Sequence, residues 1–270
     1  MDQPNALTDP RALARNRARA DAAALFLQDA ARDELEDRVG MVNKPFRSIA
    51  VVTGFPQVWA QRDVTLVPEA EVLDLAPQTH DLVMHSLGLH WANDPVGQLI
   101  QCRRALKPDG LLLAASLGGQ SLHELRACLA EAEIAVTGGL SPRIAPMAEL
   151  RDLGALLQRA GLALPVADSV SLTVQYRDMW HLMRDLRYMG EGNALAARLR
   201  HPTRRAVFQH AADIYATAYP SDTGGITATF ELIVLTGWAP DDSQPQPLRP
   251  GSATARLADA LGTDETPLSD

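Results

Sequence analysis

The sequence contains few cysteines and no long apolar run. Its N-terminal arginines suit an organelle transit peptide, but the acidic residues that follow favour a folded helix, so we expect no targeting segment. Its two cysteines, Cys102 and Cys128, stand among apolar neighbours and form neither a CxxC nor a Cys/His pattern, so we expect two buried thiols and no metal site. No apolar run approaches the roughly 18 residues that a membrane helix needs, and the N-terminus has no signal-peptide core. We therefore expect a cytoplasmic protein without a membrane span.

The chain also lacks the basic excess that nucleic-acid binding requires. Its formal net charge is −8 and its pI is about 5.4, whereas neutralising phosphates needs clustered Lys and Arg. Hydrophobic residues make up 46% and charged residues 21% of the 270 positions, a balance that supports a complete hydrophobic core. We expect one folded domain with attachments and no nucleic-acid partner.

The segment from Asp81 to Ser116 carries the strongest structural signal. It reads DLVMHSLGLHWANDPVGQLIQCRRALKPDGLLLAAS: an apolar strand, a loop at HWAND and a helix with apolar residues at helical spacing. The helix stops at Pro108, which cannot continue it, and Gly110 suits the turn before a second apolar strand. A strand–helix–strand crossover predicts a parallel sheet that is buried on both faces.

The remaining pattern divides the chain into three segments. Residues 1–42 are predicted to form an N-terminal helical segment, in which Asp9 caps one long helix. The arginines within 11–19 are interpreted as a solvated face of that helix. Residues 43–239 form the predicted domain, and residues 240–270, rich in Pro, Asp, Ser and Gln, form a predicted flexible tail.

Several elements of the domain can be placed from the sequence. The predicted elements are strands over 49–52, 169–176 and 227–238 and a helical insertion at about 178–219 between the last two strands. Ser121 and Glu124 fit a capping box at the start of a helix. Pro146 suits the first position of another helix.

Two family resemblances are carried by these stretches. The crossover resembles the fourth and fifth strands of class I S-adenosylmethionine (SAM) dependent methyltransferases. A closer resemblance is to the branch of the biotin-pathway methyltransferases and the methyltransferase-like assembly factor of mitochondrial respiratory complex I. It is carried by DLVMHSLGLHWANDP, GGQSLHELR, GGLSPRIAPMAELRDLGALLQRAGL, MRDLRYMGEGNAL and RPGSAT, and it covers most of residues 11–255.

The resemblance implies both a fold and a chemistry. The expected fold is α/β, a Rossmann-like class I methyltransferase fold with a mostly parallel sheet and an antiparallel last strand. The expected function is SAM-dependent methyl transfer to a small molecule or a protein side chain. Two alternatives stay open. One is a non-catalytic protein of this fold that binds or assembles a partner protein; the other is a protein arginine hydroxylase, which would need an oxidant and a metal that the sequence does not display.

The cofactor half departs from the family pattern. The family's first strand leads into LDLGCGxG, whose glycines let the backbone approach the cofactor. Here IAVVTGFP keeps only Gly54, and Pro56 has no backbone N–H. Only 26 residues lie between Gly54 and Asp81, whereas two further strands and their crossovers need roughly forty. We expect a reduced first half, with SAM as the implied cofactor despite the degenerate glycine motif.

Two alignments give Glu69 different roles. If residues 63–67 form the family's second strand, Glu69 is the acidic residue that accepts hydrogen bonds from the ribose hydroxyls of SAM. If they form the third strand, which gives a gapless match up to Asp81 and is the preferred alignment, the ribose acid is missing and Glu69 lies near the adenine. Asp74 is a further candidate for an adenine contact and equally suits a turn carboxylate.

The resemblance also nominates residues around the cavity that ligands occupy at the carboxyl ends of parallel strands. The cofactor-binding candidates are Gly54, Glu69, Asp74 and Leu87; the proton acceptor is His90; the substrate-binding candidates are Trp91, Gly119 and Arg143. Each has a structural alternative, such as a turn glycine, a capping aromatic or a surface arginine. Residues 189–193 suit either a part of a lid or a helix cap.

Overall fold

The computed structural model describes residues 6–245, 255 and 257–263. The strands are β1 (Ile49–Thr53), β2 (Thr65–Pro68), β3 (His80–Ser86), β4 (Leu106–Leu117), β5 (Ala163–Tyr176) and β6 (Ile226–Trp238). The α-helices are α1 (Pro10–Arg17), α2 (Phe26–Gly40), α3 (Pro95–Ala105), α4 (His123–Thr137), α5 (Leu150–Arg159), α6 (Met179–Tyr188), α7 (Arg205–Ala218) and α8 (Leu257–Leu261). No helix among the described residues is long and apolar enough to cross a membrane.

The six strands form one mixed sheet in the order β2-β1-β3-β4-β6-β5. Strands β1 to β4 run parallel to one another, and β6 pairs antiparallel with both β4 and β5. The chain from Asp81 to Ser116 forms the predicted crossover, with α3 ending at Ala105 before β4. The predicted α/β fold, its antiparallel last strand and the helical insertion that contains α6 and α7 are confirmed.

The first half of the sheet is reduced, as the short spacing predicted. The connection from β1 to β2 contains only a 3₁₀ turn at Pro56–Trp59, and no helix is formed between β2 and β3. As a result β2 pairs directly with β1, with Val51 opposite Leu66. In doubly wound sheets the strand at this place is the second one, so the sheet order agrees with the alternative alignment of residues 63–67 and not with the preferred gapless one.

The two faces of the sheet bury separate sets of side chains. In β4, Leu111 and Leu113 face the side covered by α2, α4, α6 and α7, whereas Leu112 and Ala114 face the side covered by α3 and α5. This alternation follows from the period of two along a strand. Both predicted buried thiols are confirmed: Cys102 is 0% and Cys128 1% exposed, and neither forms a disulfide.

The N-terminal segment contains two helices, so the prediction of one long helix is wrong. Asp9 caps α1 as expected, accepting hydrogen bonds from the next helical N–H groups. The helical segment is then interrupted near Asp21. The Asp21 carboxylate accepts a hydrogen bond from the N–H of Ala23, and its own N–H donates to the carbonyl of Tyr188 (2.7 Å). An aspartate that bonds nearby backbone in this way competes with helix continuation.

Two other predicted helix starts are displaced by contacts with distant strands. The Ser121 hydroxyl exchanges hydrogen bonds with the backbone of Glu231, and the Glu124 carboxylate accepts from Thr229. The capping box therefore does not form, and α4 begins at His123 after Leu122 in a left-handed conformation. Helix α5 begins at Leu150 rather than at the predicted Pro146.

Residues from Asp241 onward form a separate unit. Within it, the Asp241 carboxylate accepts hydrogen bonds from Ser243, and α8 covers Leu257–Leu261. The predicted flexible tail lies in part outside the described residues, and so does the RPGSAT phrase.

Candidate functional site

A cavity of about 560 Å³ opens at the carboxyl ends of β1, β2 and β3. Helix α1 covers it on one side and contributes Leu13 and Arg17 to its wall. The chain before α1 is fixed in place because Thr8 exchanges hydrogen bonds with the Asn93 side chain (2.9 and 3.2 Å). Ligands of doubly wound sheets bind at this edge, so the cavity is the primary candidate site.

The turn after β1 uses its own backbone donors internally. The N–H of Gly54 donates to Glu69 Oε1 (3.1 Å), and the N–H of Phe55 donates to the Thr53 hydroxyl (3.0 Å). Pro56 has no N–H. The space beside Gly54 is filled by the Arg17 guanidinium, because a Cβ at Gly54 would lie only 2.5–2.8 Å from its atoms.

Glu69 and Arg17 form a buried ion pair at the wall of the cavity. Arg17 Nη1 contacts Glu69 Oε2, and the two side chains are only 9% and 14% exposed. Glu69 follows β2, the strand beside β1. Its carboxylate also lies against Gly88, where a Cβ would come within 2.6 Å of Glu69 Cδ. Glycine at position 88 is therefore required for this arrangement.

A second buried carboxylate, Glu191, lies behind the cavity wall. Its Oε2 accepts from Trp91 Nε1 (2.7 Å) and pairs with His90 Nε2 (3.2 Å). Burial raises the pKa of Glu191, but the His90 hydrogen bond and the charges of His90 and Arg17 outweigh it, so the pKa lies below its ordinary value. The side chain is thus an anion at neutral pH.

The turn that carries Glu191 is hydrogen-bonded to the N-terminal segment. Asn16 Nδ2 donates to the Gly192 carbonyl (2.9 Å), and Gln28 Nε2 donates to the Met189 carbonyl (3.3 Å). Gly190 has a φ of +83°, and a Cβ there would lie 3.0 Å from Phe55 Cζ and 3.4 Å from Arg17 Cα. Residues 189–193 therefore form a fixed turn that packs behind Arg17 and Phe55 and does not itself line the cavity.

Six polar atoms around this wall are buried without a hydrogen-bond partner. They are Arg17 Nε and Nη2, His85 Nδ1 and Nε2, His90 Nδ1 and Glu191 Oε1. Burial lowers the pKa of His85 to about 4, so its ring is neutral at physiological pH. Buried polar groups are normally paired, and each unpaired one costs about 1–3 kcal/mol. Among these residues, Arg17 and His85 line the cavity.

Only part of the predicted site comes together. Gly54, Glu69 and Trp91 line the cavity, and His90 lies behind Trp91 with its side chain 1% exposed. Like His90, four other nominated residues do not line it: Leu87 is buried in the core, Asp74 is exposed, and Gly119 and Arg143 belong to other contacts. The N–H of Gly119 donates to the Ala148 carbonyl (3.1 Å), and a Cβ at this glycine would meet Glu149.

Arg143 is held inside the fold. Its Nε and Nη2 donate to the Glu133 carboxylate (2.9 and 2.6 Å), and Nη1 donates to the Thr203 hydroxyl (2.9 Å). Burial opposes ionisation of Glu133, yet the hydrogen bonds from Arg143 and Ser141 lower the pKa of this carboxyl to about 2. The guanidinium fork that suggested an anion site is therefore occupied by an internal carboxylate.

Two residues of the site were missed from the sequence, Arg17 and Glu191. Arg17 stands in a run of arginines that favoured a solvated face, and its neighbour Arg15 is indeed exposed. Glu191 stands in the phrase MGEGN, which equally suited a helix cap. Among the described residues, no group of three His, Cys, Asp or Glu side chains lies close enough to hold a metal ion.

Comparisons with known proteins agree with the architecture. Residues 54–114 match the family model described as Methyltransferase domain. The chain is 40% identical over 196 residues to the mitochondrial arginine-hydroxylase NDUFAF5 of Dictyostelium discoideum, covering 72% of this chain and 45% of that protein. The Danio rerio protein of the same name is 40% identical over 194 residues, which cover 72% of this chain and 60% of the relative.

A second group of relatives carries a different name. The malonyl-[acyl-carrier protein] O-methyltransferase of Laribacter hongkongensis is 32% identical over 184 residues, covering 68% of this chain and 59% of that protein. The matches thus span 45–60% of the length of these three relatives. Sheet order, family model and relatives agree. This chain is a class I SAM methyltransferase-like protein, homologous to the NDUFAF5 arginine hydroxylases and the malonyl-[acyl-carrier protein] O-methyltransferases.

Proposed function

We propose that the chain is a SAM-dependent methyltransferase that acts on a small molecule or a protein side chain. The observation that carries the proposal is the cavity at the carboxyl ends of β1, β2 and β3, with the Glu69 carboxylate at the end of the strand beside β1. A volume of about 560 Å³ lies within the range of roughly 300–1,000 Å³ that is typical of ligand pockets.

The cavity fits the nucleoside part of SAM better than the family's glycine motif suggests. Glu69 is an acceptor for ribose hydroxyls, and Leu66, Pro68 and Ala70 offer apolar surface to a base. Glu69 would exchange part of its contact with Arg17 or Gly54 for those hydroxyls. The turn itself does not fit the amino-acid end of SAM, because the N–H groups of Gly54 and Phe55 are already used.

Bound SAM would supply an activated methyl group on a sulfonium, and the chain's residues would align the acceptor and remove its proton. His90, the candidate proton acceptor, is hydrogen-bonded through Nε2 to Glu191 and does not line the cavity. Trp91 separates this pair from the cavity, and its own N–H is fixed by Glu191. Alignment and proton removal are the contributions that methyl transfer requires of the protein.

The test is calorimetric titration of SAM and S-adenosylhomocysteine into the purified chain. We expect dissociation constants on the order of micromolar, and Glu69→Gln should weaken S-adenosylhomocysteine roughly 10- to 100-fold because a charged acceptor is lost. Asp63→Asn is the matched control, since this exposed residue lies just before the same strand and does not line the cavity. Absence of binding to folded protein would reject the proposal.

A second candidate is hydroxylation of an arginine side chain, favoured by the name of the relatives that are 40% identical. Mass spectrometry separates the two reactions, because the acceptor gains a methyl group in one and an oxygen atom in the other. A third outcome, in which SAM binds and neither product forms with any acceptor tested, would favour the non-catalytic binding protein.

A further inference from the structure

We propose that Arg17 replaces the glycine turn as the group that holds the carboxylate of the ligand's amino-acid end. The inference rests on the proposed function and concerns a contact within the same cavity. Arg17 lies on α1, before the sheet begins, whereas Gly54 lies on the turn after β1. The proposal therefore gives the N-terminal helix a direct role in ligand binding.

The turn after β1 has no free N–H donor for a ligand. In the turn after β1, the Gly54 N–H is bonded to Glu69 and the Phe55 N–H to Thr53, and Pro56 has none. The position over Gly54 is not open either, since the Arg17 guanidinium fills the place of a Cβ. A carboxylate that approaches this turn therefore meets Arg17 in place of backbone N–H groups.

The Arg17 guanidinium has donors that the turn lacks. Arg17 uses Nη1 for Glu69, while Nε and Nη2 are buried and have no partner. These two nitrogens stand side by side on one edge of the planar group, which is the edge that binds a carboxylate through two parallel hydrogen bonds. The side chain is 9% exposed and belongs to the lining of the cavity.

Charge balance limits which ligand fits the site. Glu69 and Glu191 flank Arg17, and Oε1 of Glu191 is also buried without a partner. A simple anion would add a third negative charge to this cluster. An α-amino acid brings an ammonium together with its carboxylate. Arg17 then balances the charge of the carboxylate, and Glu191 balances the charge of the ammonium. The site thus favours a nucleoside with an amino-acid end over one without it.

The test compares two nucleosides on two proteins. S-adenosylhomocysteine carries the amino-acid end and 5′-methylthioadenosine does not. For Arg17→Met we expect the affinity for S-adenosylhomocysteine to fall roughly 10- to 100-fold, as for the loss of a charged hydrogen-bonded pair. The affinity of the same variant for 5′-methylthioadenosine should change by less than about threefold. Since Glu69 loses its Arg17 partner whichever ligand is measured, this comparison isolates the contact with the amino-acid end.

Two controls separate this role from a general effect on the fold. Arg15→Met removes an exposed arginine from the same helix and should leave both affinities unchanged. Arg17→Lys keeps the charge without the fork and should give an intermediate loss. If Arg17 variants do not fold, the methyl ester of S-adenosylhomocysteine probes the unchanged protein, and we expect it to bind more weakly than the free carboxylate.

The outcomes distinguish this inference from the proposed function. If the unchanged protein binds neither nucleoside, the proposed function fails and the role of Arg17 with it. The role of Arg17 is overturned, while the proposed function stands, if S-adenosylhomocysteine binds Arg17→Met as tightly as the unchanged protein. The same holds if its methyl ester binds the unchanged protein as tightly as the free acid. A loss confined to ligands with a free amino-acid end supports the inference.

Discussion

Arg143 and Arg17 are two arginines whose roles the sequence assigns in reverse. Arg143 stands in a family phrase and suggested a site for an anion, yet its guanidinium is bonded to Glu133 and Thr203. Arg17 stands in a run that suggested a solvated face, yet it is buried beside Glu69. Residue type is identical in the two cases. The difference lies in which distant carboxylate each side chain meets, and that depends on the fold.

Arg143→Met tests the structural role of this contact. We expect the free energy of unfolding to fall by about 2 kcal/mol, because the variant leaves the Glu133 carboxylate buried without its main partner. Chemical denaturation measures the loss. Arg151→Met, at an exposed position, is the control and should cost less than about 0.5 kcal/mol.

Binding distinguishes this role from a direct one. The affinity of Arg143→Met for S-adenosylhomocysteine should equal that of the unchanged protein, since Arg143 does not line the cavity. A selective loss of affinity without loss of stability would contradict the assignment.

At the scale of elements, prediction succeeds where the determinants are local. The crossover between β3 and β4 is encoded by apolar runs and helical spacing and forms as expected, but the predicted stop at Pro108 and turn at Gly110 are wrong, because α3 ends at Ala105 and β4 already begins at Leu106. The short distance between Gly54 and Asp81 likewise predicts a reduced first half. These features depend on chain length and side-chain period, which a single sequence displays directly.

Prediction fails where a distant element provides the decisive partner. The N-terminal helix breaks near Asp21, whose N–H bonds to Tyr188, and the capping box fails because Ser121 bonds to Glu231. The candidate site has the same limit. Arg17 and Glu191 meet only after the insertion has folded against the N-terminal segment, and no local pattern reports this.

The turn after α6 offers a test at this scale. Gly190→Ala should cost about 2 kcal/mol in unfolding free energy, because φ is +83° and the new Cβ would lie only 3.0 Å from the Phe55 ring. The matched control is Gly138→Ala. Gly138 has a φ of +72°, and a Cβ there would have no atom within 4 Å. This variant should therefore cost only the backbone strain, about 1 kcal/mol, without any steric contact.

The ligand affinity of these two variants should also differ. Movement of the Phe55 ring by Gly190→Ala should weaken the binding of S-adenosylhomocysteine, because this ring lies 5.5 Å from the Arg17 guanidinium, whereas Gly138→Ala should leave the binding unchanged. If the two variants lose the same unfolding free energy and bind S-adenosylhomocysteine equally well, the contact of residue 190 with the cavity wall contributes neither to stability nor to binding.

For the whole molecule, buried titratable groups set the dependence of stability on pH. Burial lowers the pKa of His85 to about 4, from 6.5 in the unfolded chain. Between these values the unfolded chain binds the additional proton, so stability is complete above pH 6.5 and falls as the pH decreases toward 4. The shift corresponds to about 3 kcal/mol at most.

His85→Gln should remove this contribution. We expect its unfolding free energy to vary less between pH 6.5 and 4.5 than that of the unchanged protein, as followed by urea denaturation at each pH. His201→Gln, at an exposed position, should keep the original slope. At lower pH all three proteins should lose stability together, because the pKa of Glu133 is about 2 in the folded chain and 4.5 in the unfolded chain, so the unfolded chain binds this proton first as the pH falls from 4.5 toward 2. Identical slopes for the two variants between pH 6.5 and 4.5 would contradict the prediction.

The hydrogen bonds between the N-terminal segment and the turn after α6 also order events during synthesis. Asn16 bonds to Gly192, a residue that the ribosome adds 176 positions later, and Thr8 bridges to Leu195. Strands β1 to β4 are complete by Leu117. A nascent chain halted after that point contains the parallel strands and every residue that lines the cavity, including Glu69 as the partner of Arg17, but it lacks the turn that bonds to Asn16 and carries Glu191. The support of α1 by this turn therefore belongs to the late stage of translation.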